Sequence, residues 1–369
     1  MNFAIITQIG HKKYKDNWYA YEPYIREMNL WTQHVSEVRI IAPVLGEESP
    51  QEIDSAYESE NISLIKIPSI NALSFINILL SIIKLPIISF RIIKVFFWAD
   101  HIHLRCPGNI GLIGSVLQIF FPSKLKTAKY AGNWDPKSKQ PLSYRIQKKI
   151  LSNTFLTKNM KVLVYGKWKN QTKNILPFFT ASYSENEIEL IREKKIKGTI
   201  NFIFVGTFSK GKQPLLSVKT IVELKKRGYN VFLNMYGDGK EFTKVRDYIV
   251  NNGVDDYIVL HGNVKKAEIK KAFQLSHFLI FISQSEGWPK VVAESMFWSC
   301  LPVSSNVSCV PYMLNNGLRG ALVDENNIIE IIESYLKNDV LYQNQVENAR
   351  EWSQKFTLEE FEKEIIKLL

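Results

Sequence analysis

The chain has few cysteines and nothing that would pair them. Cys106, Cys300 and Cys309 are its three thiols in 369 residues, with neither metal-binding spacing nor an even framework. A disulfide scaffold and a cysteine-built zinc site are therefore excluded, and packed thiols fit a reducing compartment. No internal repeat at solenoid spacing and no low-complexity tract is present. No Asp-x-Asp pair suited to a divalent ion occurs. Long hydrophobic runs are missing too. Within the most apolar stretch, 67–98, the longest uncharged piece, 67–83, falls short of the roughly 20 residues a membrane span needs, and it holds two Asn and three Ser.

Residues 71–98 are strongly apolar all the same, interrupted by Lys84, Pro86, Arg91 and Lys94. They read as one or two helices, mostly core, with an interfacial face. The apolar run 3–9 has no basic segment before it and no small-residue cleavage site after it. It reads as a first, buried parallel strand rather than a signal peptide.

What is present is the composition of a globular protein, 46% hydrophobic and 22% charged. The length exceeds one ordinary core and suits two domains. The net charge of +11 lies entirely in one half: residues 1–197 carry 27 Lys and Arg against 16 Asp and Glu, and residues 198–369 carry 20 of each. The excess peaks between Lys124 and Lys173, with 13 basic residues and one acid, Asp135. Such a half is either a solvated basic face or a surface for an anionic partner: a membrane, a lipid phosphate or a nucleic acid.

Strand and helix patterns alternate along the chain, which argues for an α/β fold with parallel sheets covered by helices. Strand-like runs fall at 3–9, 38–42, 62–67, 102–104, 127–130 and 161–164, with helical stretches such as 22–34 and 111–120 between them. A polar break at 193–199 ends in Gly198, and the alternation restarts. Strands are expected at 201–205, 231–236, 257–261, 278–282 and 301–304, and helices at 214–227, 240–251, 265–275 and 291–298. The expectation is two doubly wound domains, 1–197 and 198–345. The tail after them is amphipathic and helical over 341–369, with a Thr357-Leu-Glu-Glu360 box that could start a helix at Leu358.

The chemistry gathers in four turns. In the first, Ser283-Gln-Ser-Glu-Gly-Trp-Pro-Lys-Val-Val-Ala-Glu294 follows a buried strand and opens a helix. Amides from Gly287 to Val291 at a helix start suit a phosphate or a sugar hydroxyl. Gly287 permits close approach. Glu286 and Glu294 are eight positions apart, slightly over two turns, so both carboxylates can face one cleft and accept vicinal hydroxyls. In the second, Val205-Gly-Thr-Phe-Ser-Lys-Gly-Lys212 joins a strand to a helix opened by Pro214. Strand ends of a doubly wound sheet meet at its crevice, so Lys210 or Lys212 comes near Glu286 and can neutralise a departing diphosphate. The turns Tyr236-Gly-Asp-Gly239 and His261-Gly-Asn-Val264 are weaker signals, since a glycine after a strand is common to such domains.

Together these four motifs, in this order, resemble retaining glycosyltransferase family 4 of the glycosyltransferase-B fold, also called glycosyl transferases group 1. The resemblance is specific over about residues 200–356 and looser through Asp100-His-Ile-His-Leu-Arg-Cys-Pro107. It implies two Rossmann-like domains facing across a cleft, an N-terminal one for the acceptor and a C-terminal one for the donor. The segment 346–369 would then cross back to the first domain. Carried over by position, Glu286 contacts the donor sugar, Lys212 binds the diphosphate and Glu294 holds the ribose. Backbone at Val264 meets the base, and amides at Lys290 and Val291 meet the phosphates. Gly206, Thr207, Lys210, Gly237, Gly287 and Trp288 complete the implied donor site. Two departures stand out. Thr207 occupies the place of a usual arginine, and Lys129-Tyr-Ala-Gly-Asn-Trp-Asp135 lacks the usual N-domain histidine. Asn133, Trp134 and Asp135 either line the acceptor site or form a polar turn with a packed tryptophan. His103 reads as a core histidine and Arg105 as a phosphate contact in the acceptor half.

The resemblance implies transfer of a sugar, with retention, from a UDP- or GDP-sugar to an acceptor hydroxyl, in cell-surface polysaccharide or glycolipid synthesis. Lysines and amides meet the diphosphate charge, so no metal and no further cofactor is expected. The acceptor expected is a saccharide or lipid-linked saccharide, and the setting is cytoplasmic, peripheral on the inner membrane face. An epimerase of the same fold and a catalytically silent sugar-nucleotide sensor are the rival readings. Nucleic-acid binding through Lys124–Lys173 would need a recognised module and leaves the Glu286 and Glu294 element unexplained.

Overall fold

The computed structural model describes residues 1–46, 49–51, 53–70 and 75–369. The chain forms two compact units, Met1–Phe179 with Glu360–Leu369, and Thr180–Glu359.

The first unit begins with β1 (Asn2–Ile6), the hairpin β2 (Lys12–Tyr14) and β3 (Asn17–Tyr21), and α1 (Glu22–Thr32). Then come β4 (Glu37–Pro43), β5 (Asp54–Ala56), β6 (Ile62–Ile67) and the long α2 (Phe75–Trp98). It continues with β7 (His101–Cys106), α3 (Asn109–Leu117), β8 (Leu125–Tyr130), α4 (Leu142–Leu151), β9 (Met160–Tyr165) and β10 (Ile175–Phe178). Seven strands make one parallel sheet in the order β10-β9-β8-β7-β1-β4-β6. Its central strands are buried on both faces, which is why β1 reads as an unbroken apolar run. β7 alternates instead. His101, His103 and Arg105 share one face by the two-residue period, and α1 presents Tyr24, Glu27 and Trp31 along one stripe over them. The small antiparallel sheet β2-β3-β5 is not legible as strands in the sequence, being short and charged; Lys12 and Asp54 pair across it at 2.9 Å.

The stretch 71–98 is one helix from Phe75, with Pro86 inside it, while its residues 71–74 lie outside the described residues. Its inner face, Ile88, Ile92, Val95 and Phe96, is in the core. Among the described residues no helix is long and apolar enough to cross a membrane.

The second unit carries a six-stranded parallel sheet in the order β13-β12-β11-β14-β15-β16. Its elements are β11 (Ile200–Val205), α5 (Pro214–Lys226), β12 (Val231–Tyr236), α6 (Phe242–Asn251), β13 (Ile258–Gly262), α7 (Lys266–Leu275) and β14 (Phe278–Phe281). They are followed by α8 (Lys290–Phe297), β15 (Leu301–Ser305), α9 (Val310–Met313), β16 (Ala321–Val323) and α10 (Ile328–Leu336). The chain ends with α11 (Asp339–Ser353) and α12 (Leu358–Ile366), so the expected helical tail is broken at 354–357 and restarts at Leu358.

The units divide at Phe179, not at the polar break near residue 197. The reason is side-chain anchoring. Lys194 is half-buried and donates to the carbonyls of Phe273, Ser276 and Trp298, which ties the intervening segment to the second sheet. At the other end, only 360–369 belongs to the first unit rather than all of 346–369. There Phe361 packs its ring against Phe178 and Phe179, and Glu362 meets His34 at 2.7 Å.

Candidate functional site

In the second unit the ends of β11, β12, β13 and β14 run into four loops, and the backbone draws them together. Gly206 N–H donates to the Tyr236 carbonyl, and Gly237 N–H to that of Gly262. Gly237 has φ +122°, and a Cβ there would stand 2.0 Å from the Gly206 carbonyl oxygen. Only glycine fits such an approach. The loop after β11 is fastened to the loop after β14: Gln284 N–H and the Ser283 hydroxyl both donate to the Gly211 carbonyl. Lys212 thereby reaches Glu286 and forms an ion pair with it, its ammonium also lying 4.6 Å from the centre of the Phe281 ring. Of the two lysines proposed for this place, Lys212 makes the pair, while Lys210 and Thr207 are exposed.

The loop that carries Glu286 is held from its far side by β15 and the turn after it. Ser305 Oγ accepts from Ser283 N–H and donates to the Ser283 carbonyl. Ser308 Oγ accepts from Glu286 N–H at 3.0 Å, and the Cys309 thiol donates to the Gly287 carbonyl. The sequence reading missed Ser305 and Ser308, which stand 22 positions along the chain from their partners, a separation that leaves no local pattern. Burial pushes the Cys309 thiol far up, so it stays protonated and acts as a donor.

α8 begins at Lys290, directly after Pro289, so the amides of Lys290 and Val291 belong to its first turn. Glu294 is one turn further on and accepts from the Ser182 hydroxyl at 2.5 Å, while Lys266 donates to the Ser182 carbonyl. Ser182 carried no signal in the sequence. Glu294 borders a cavity of ≈ 10 Å³, room for one water, lined also by Ser182, Tyr183, Trp288 and Lys290. Glu286 is not in that lining. The expectation that the two carboxylates face one cleft counted eight helical steps, but the helix starts at Lys290 and the first steps run through an extended turn. Each carboxylate has its own partner, Lys212 or Ser182. Trp288, expected at the donor, is buried with its ring against Trp352 and Phe356. At the third and fourth turns Tyr236 stacks on His261 at 4.4 Å and Val264 is half-buried.

In the first unit Arg105 is largely enclosed and bonds Glu27 Oε2 at 2.7 Å, with Lys129 3.9 Å from the other carboxylate oxygen. Glu27 holds the Arg105 guanidinium firmly in its charged form against the effect of burial. Arg105 therefore has an internal counter-ion, which the reading as a phosphate contact did not foresee. His103 is a core residue, bonded to Thr127 and packed on Trp31. Trp134 is 2% exposed, stacked edge-on against Tyr130, with its N–H on Gln171. A ring so enclosed offers an acceptor no surface, which corrects its placement in the acceptor site. Asn133 and Asp135 cap their own turn, the Asn133 side chain accepting from Asp135 N–H and the Asp135 side chain from Lys137 N–H. A further buried polar chain, His11 to Tyr57 to Tyr24, follows β1 and escaped sequence reading. Among the described residues no group of three His, Cys, Asp or Glu side chains is placed to hold a metal ion.

Residues 186–352 match the family model described as glycosyl transferases group 1. Over those residues the chain is similar to the group 1 glycosyltransferases. An uncharacterized glycosyltransferase of Methanocaldococcus jannaschii is 29% identical over 168 residues, 44% of this chain and 46% of that protein, so the match spans under half of the relative's length. Among solved structures, Anabaena HepE in complex with UDP and glucose superposes with a TM-score of 0.69 at 11% identity, over 100% of this chain and 98% of that one. WaaG, a glycosyltransferase involved in lipopolysaccharide biosynthesis, gives 0.64 at 12% identity, over 99% and 98%. At such identities the likeness concerns fold, and the fold is that of the glycosyltransferase-B class.

Proposed function

We propose that the protein transfers a sugar from a nucleoside-diphosphate sugar, UDP- or GDP-linked, to a hydroxyl of a saccharide or lipid-linked saccharide, with retention and without a metal ion. The observation that carries this reading is the Lys212–Glu286 pair, set where the β11 and β14 loops are bonded together and just ahead of the first turn of α8. A cation beside a carboxylate at a helix N-terminus can receive a diphosphate and a sugar hydroxyl together: Lys212 turns to the phosphate charge and Glu286 accepts from the sugar. Glu294, one turn into α8, is an acceptor for a ribose. The UDP and glucose bound by HepE and the lipopolysaccharide role of WaaG support the choice of donor and of a cell-surface product. The setting we assign is the cytoplasmic face of a membrane, with the basic first unit toward anionic lipid.

The test is a thermal-shift panel of nucleoside diphosphates and their sugars, with EDTA present, on the native chain and on Glu294→Ala. Ligand that binds only the folded state raises the melting temperature. One nucleotide should stabilise the native chain and not the variant. No shift with any nucleotide, even after magnesium is added back, removes the reading.

A further inference from the structure

α2 is apolar on two faces, and only one of them has a use inside the fold. Ile88, Ile92, Val95 and Phe96 enter the core. Leu80, Ile83, Ile87, Phe90, Lys94 and Phe97 form a second stripe, spaced three and four residues apart, and every one of them is exposed. Phe90 is 68% exposed and Phe97 72%. A soluble surface rarely leaves so many large apolar side chains in one row uncovered. Beyond the helix the patch continues: the Phe97 ring meets Phe121 at 5.0 Å, and the neighbouring Phe120 is 75% exposed.

The charges on the helix itself are of one sign. α2 contains no Asp or Glu, and its charged residues are Lys84, Arg91 and Lys94. Lys84 and Arg91 reach back to the carbonyls of Ser69 and Lys66, which sets them on the flanks, while Lys94 lies in the stripe itself. At the far end Lys124 caps the helix through the Phe97 and Ala99 carbonyls. By contrast, part of the densest basic stretch in the sequence is turned inward. Lys126 donates to the Gln118 and Phe121 carbonyls, Lys129 to that of Phe179 and Lys148 to that of Trp134. Sequence density of lysine is therefore a poor guide to where the positive surface meets a partner.

We propose that the outer stripe of α2 is the surface by which the protein lies on an anionic lipid bilayer, its phenylalanines entering the acyl boundary and Lys94 with its flanking cations meeting the headgroups. Charge decides the occupant. A second copy of this chain would bring a like-charged stripe against this one, whereas anionic lipid complements it. A helix with an apolar face and cations beside it lies in the interface plane, and α2 carries three cations along its length. The proposal deepens the membrane-facing part of the functional reading and rests on it, while vesicle binding is read without any sugar transfer.

The experiment is co-flotation of the full chain with vesicles of phosphatidylcholine alone and of phosphatidylcholine mixed with phosphatidylglycerol. Variants are Phe90→Ser with Phe97→Ser, Lys94→Glu, and the exposed pair Lys137→Glu with Lys139→Glu, each checked for an unchanged melting temperature. The native chain should float only with the anionic vesicles. The double serine variant and Lys94→Glu should each lose affinity on the order of tenfold, and the Lys137/Lys139 variant should keep most of it. Binding that survives the α2 variants and fails with the Lys137/Lys139 variant overturns the assignment. So does a native dimer in solution that the double serine variant dissolves. A chain that transfers sugar to a soluble acceptor yet binds no vesicle defeats this inference and leaves the transfer reading standing; vesicle binding without nucleotide binding does the reverse.

Discussion

Ser182 donates its hydroxyl hydrogen bond to Glu294 Oε1 at 2.5 Å, and Lys266 fixes the Ser182 carbonyl in turn. A carboxylate has lone pairs to spare, so this bond sets the Glu294 rotamer while leaving acceptor capacity for a ligand's hydroxyls. Ser182→Ala should weaken nucleotide binding roughly threefold to tenfold, the range of one ordinary hydrogen bond, with a small change in melting temperature. Calorimetric titration with the nucleotide found in the thermal-shift panel reads this directly. Unchanged affinity would mean that Glu294 does not touch the nucleotide.

Lys212→Met removes the cation from the pair and leaves Glu286, whose side chain is only 9% exposed, without it. If Lys212 meets charge that builds on the departing diphosphate, kcat should fall on the order of 100-fold, the scale of losing one preorganised electrostatic donor. The KM for the donor should move far less, since that charge develops in the transition state. Glu286→Gln keeps shape and removes charge, so it separates the carboxylate's role from packing. Steady-state kinetics with saturating acceptor check both. A rise in KM with unchanged kcat would assign Lys212 to ground-state binding alone.

Arg105 and Glu27 give a stability prediction independent of any reaction. Arg105→Met takes the closest cation from a buried carboxylate and leaves Lys129 at 3.9 Å from it. The cost should be about 3 kcal/mol, as for breaking other buried pairs. Arg105→Met with Glu27→Leu should recover part of it, because the stranded carboxylate is gone while the buried Lys129 ammonium loses that counter-ion. Urea unfolding curves with an unchanged slope are the measurement. If the double variant is no better than the single, the pair is not what holds α1 against β7.

The parallel strands and the glycine turns were legible because each is local. β6, β12 and α5 follow from apolar runs and from Pro214 at a helix start. The Lys212–Glu286 pair was legible for a less local reason: strand ends of a doubly wound sheet meet on one edge, whatever lies between them. Ser182, Ser305 and Ser308 were not legible, since a serine has no signature until its partner is beside it. Trp134 and Arg105 went astray in the same way. Their residue types suit an acceptor site, but Gln171 and Glu27, distant in sequence, hold them. The eight-residue spacing of Glu286 and Glu294 was read as helical throughout, whereas its first steps run through a turn ahead of Lys290.

Four buried histidines make the fold sensitive to acid. Burial holds His11, His101 and His277 down at about 4, and His103 well below its ordinary value. Lys161 lowers His101 further, and Lys194 lowers His277 further. Between about pH 6.5 and its own lower native value, each is neutral when folded and takes up a proton on unfolding. The unfolded chain thus binds more protons between that pH and the native value near 4, so stability is complete above the window and is lost as pH falls through it. Each histidine contributes a slope of up to about 1.4 kcal/mol per pH unit. Thermal melts from about pH 7.5 to about pH 4.5 should stay level at first and then fall steeply below about pH 6.5. His11→Gln should make that fall shallower by one proton's worth. A melting temperature that stays level down to about pH 5 would mean that these rings are reached by water and that the packing of His101 and His103 against Phe3 and Trp31 is looser than the structure has it.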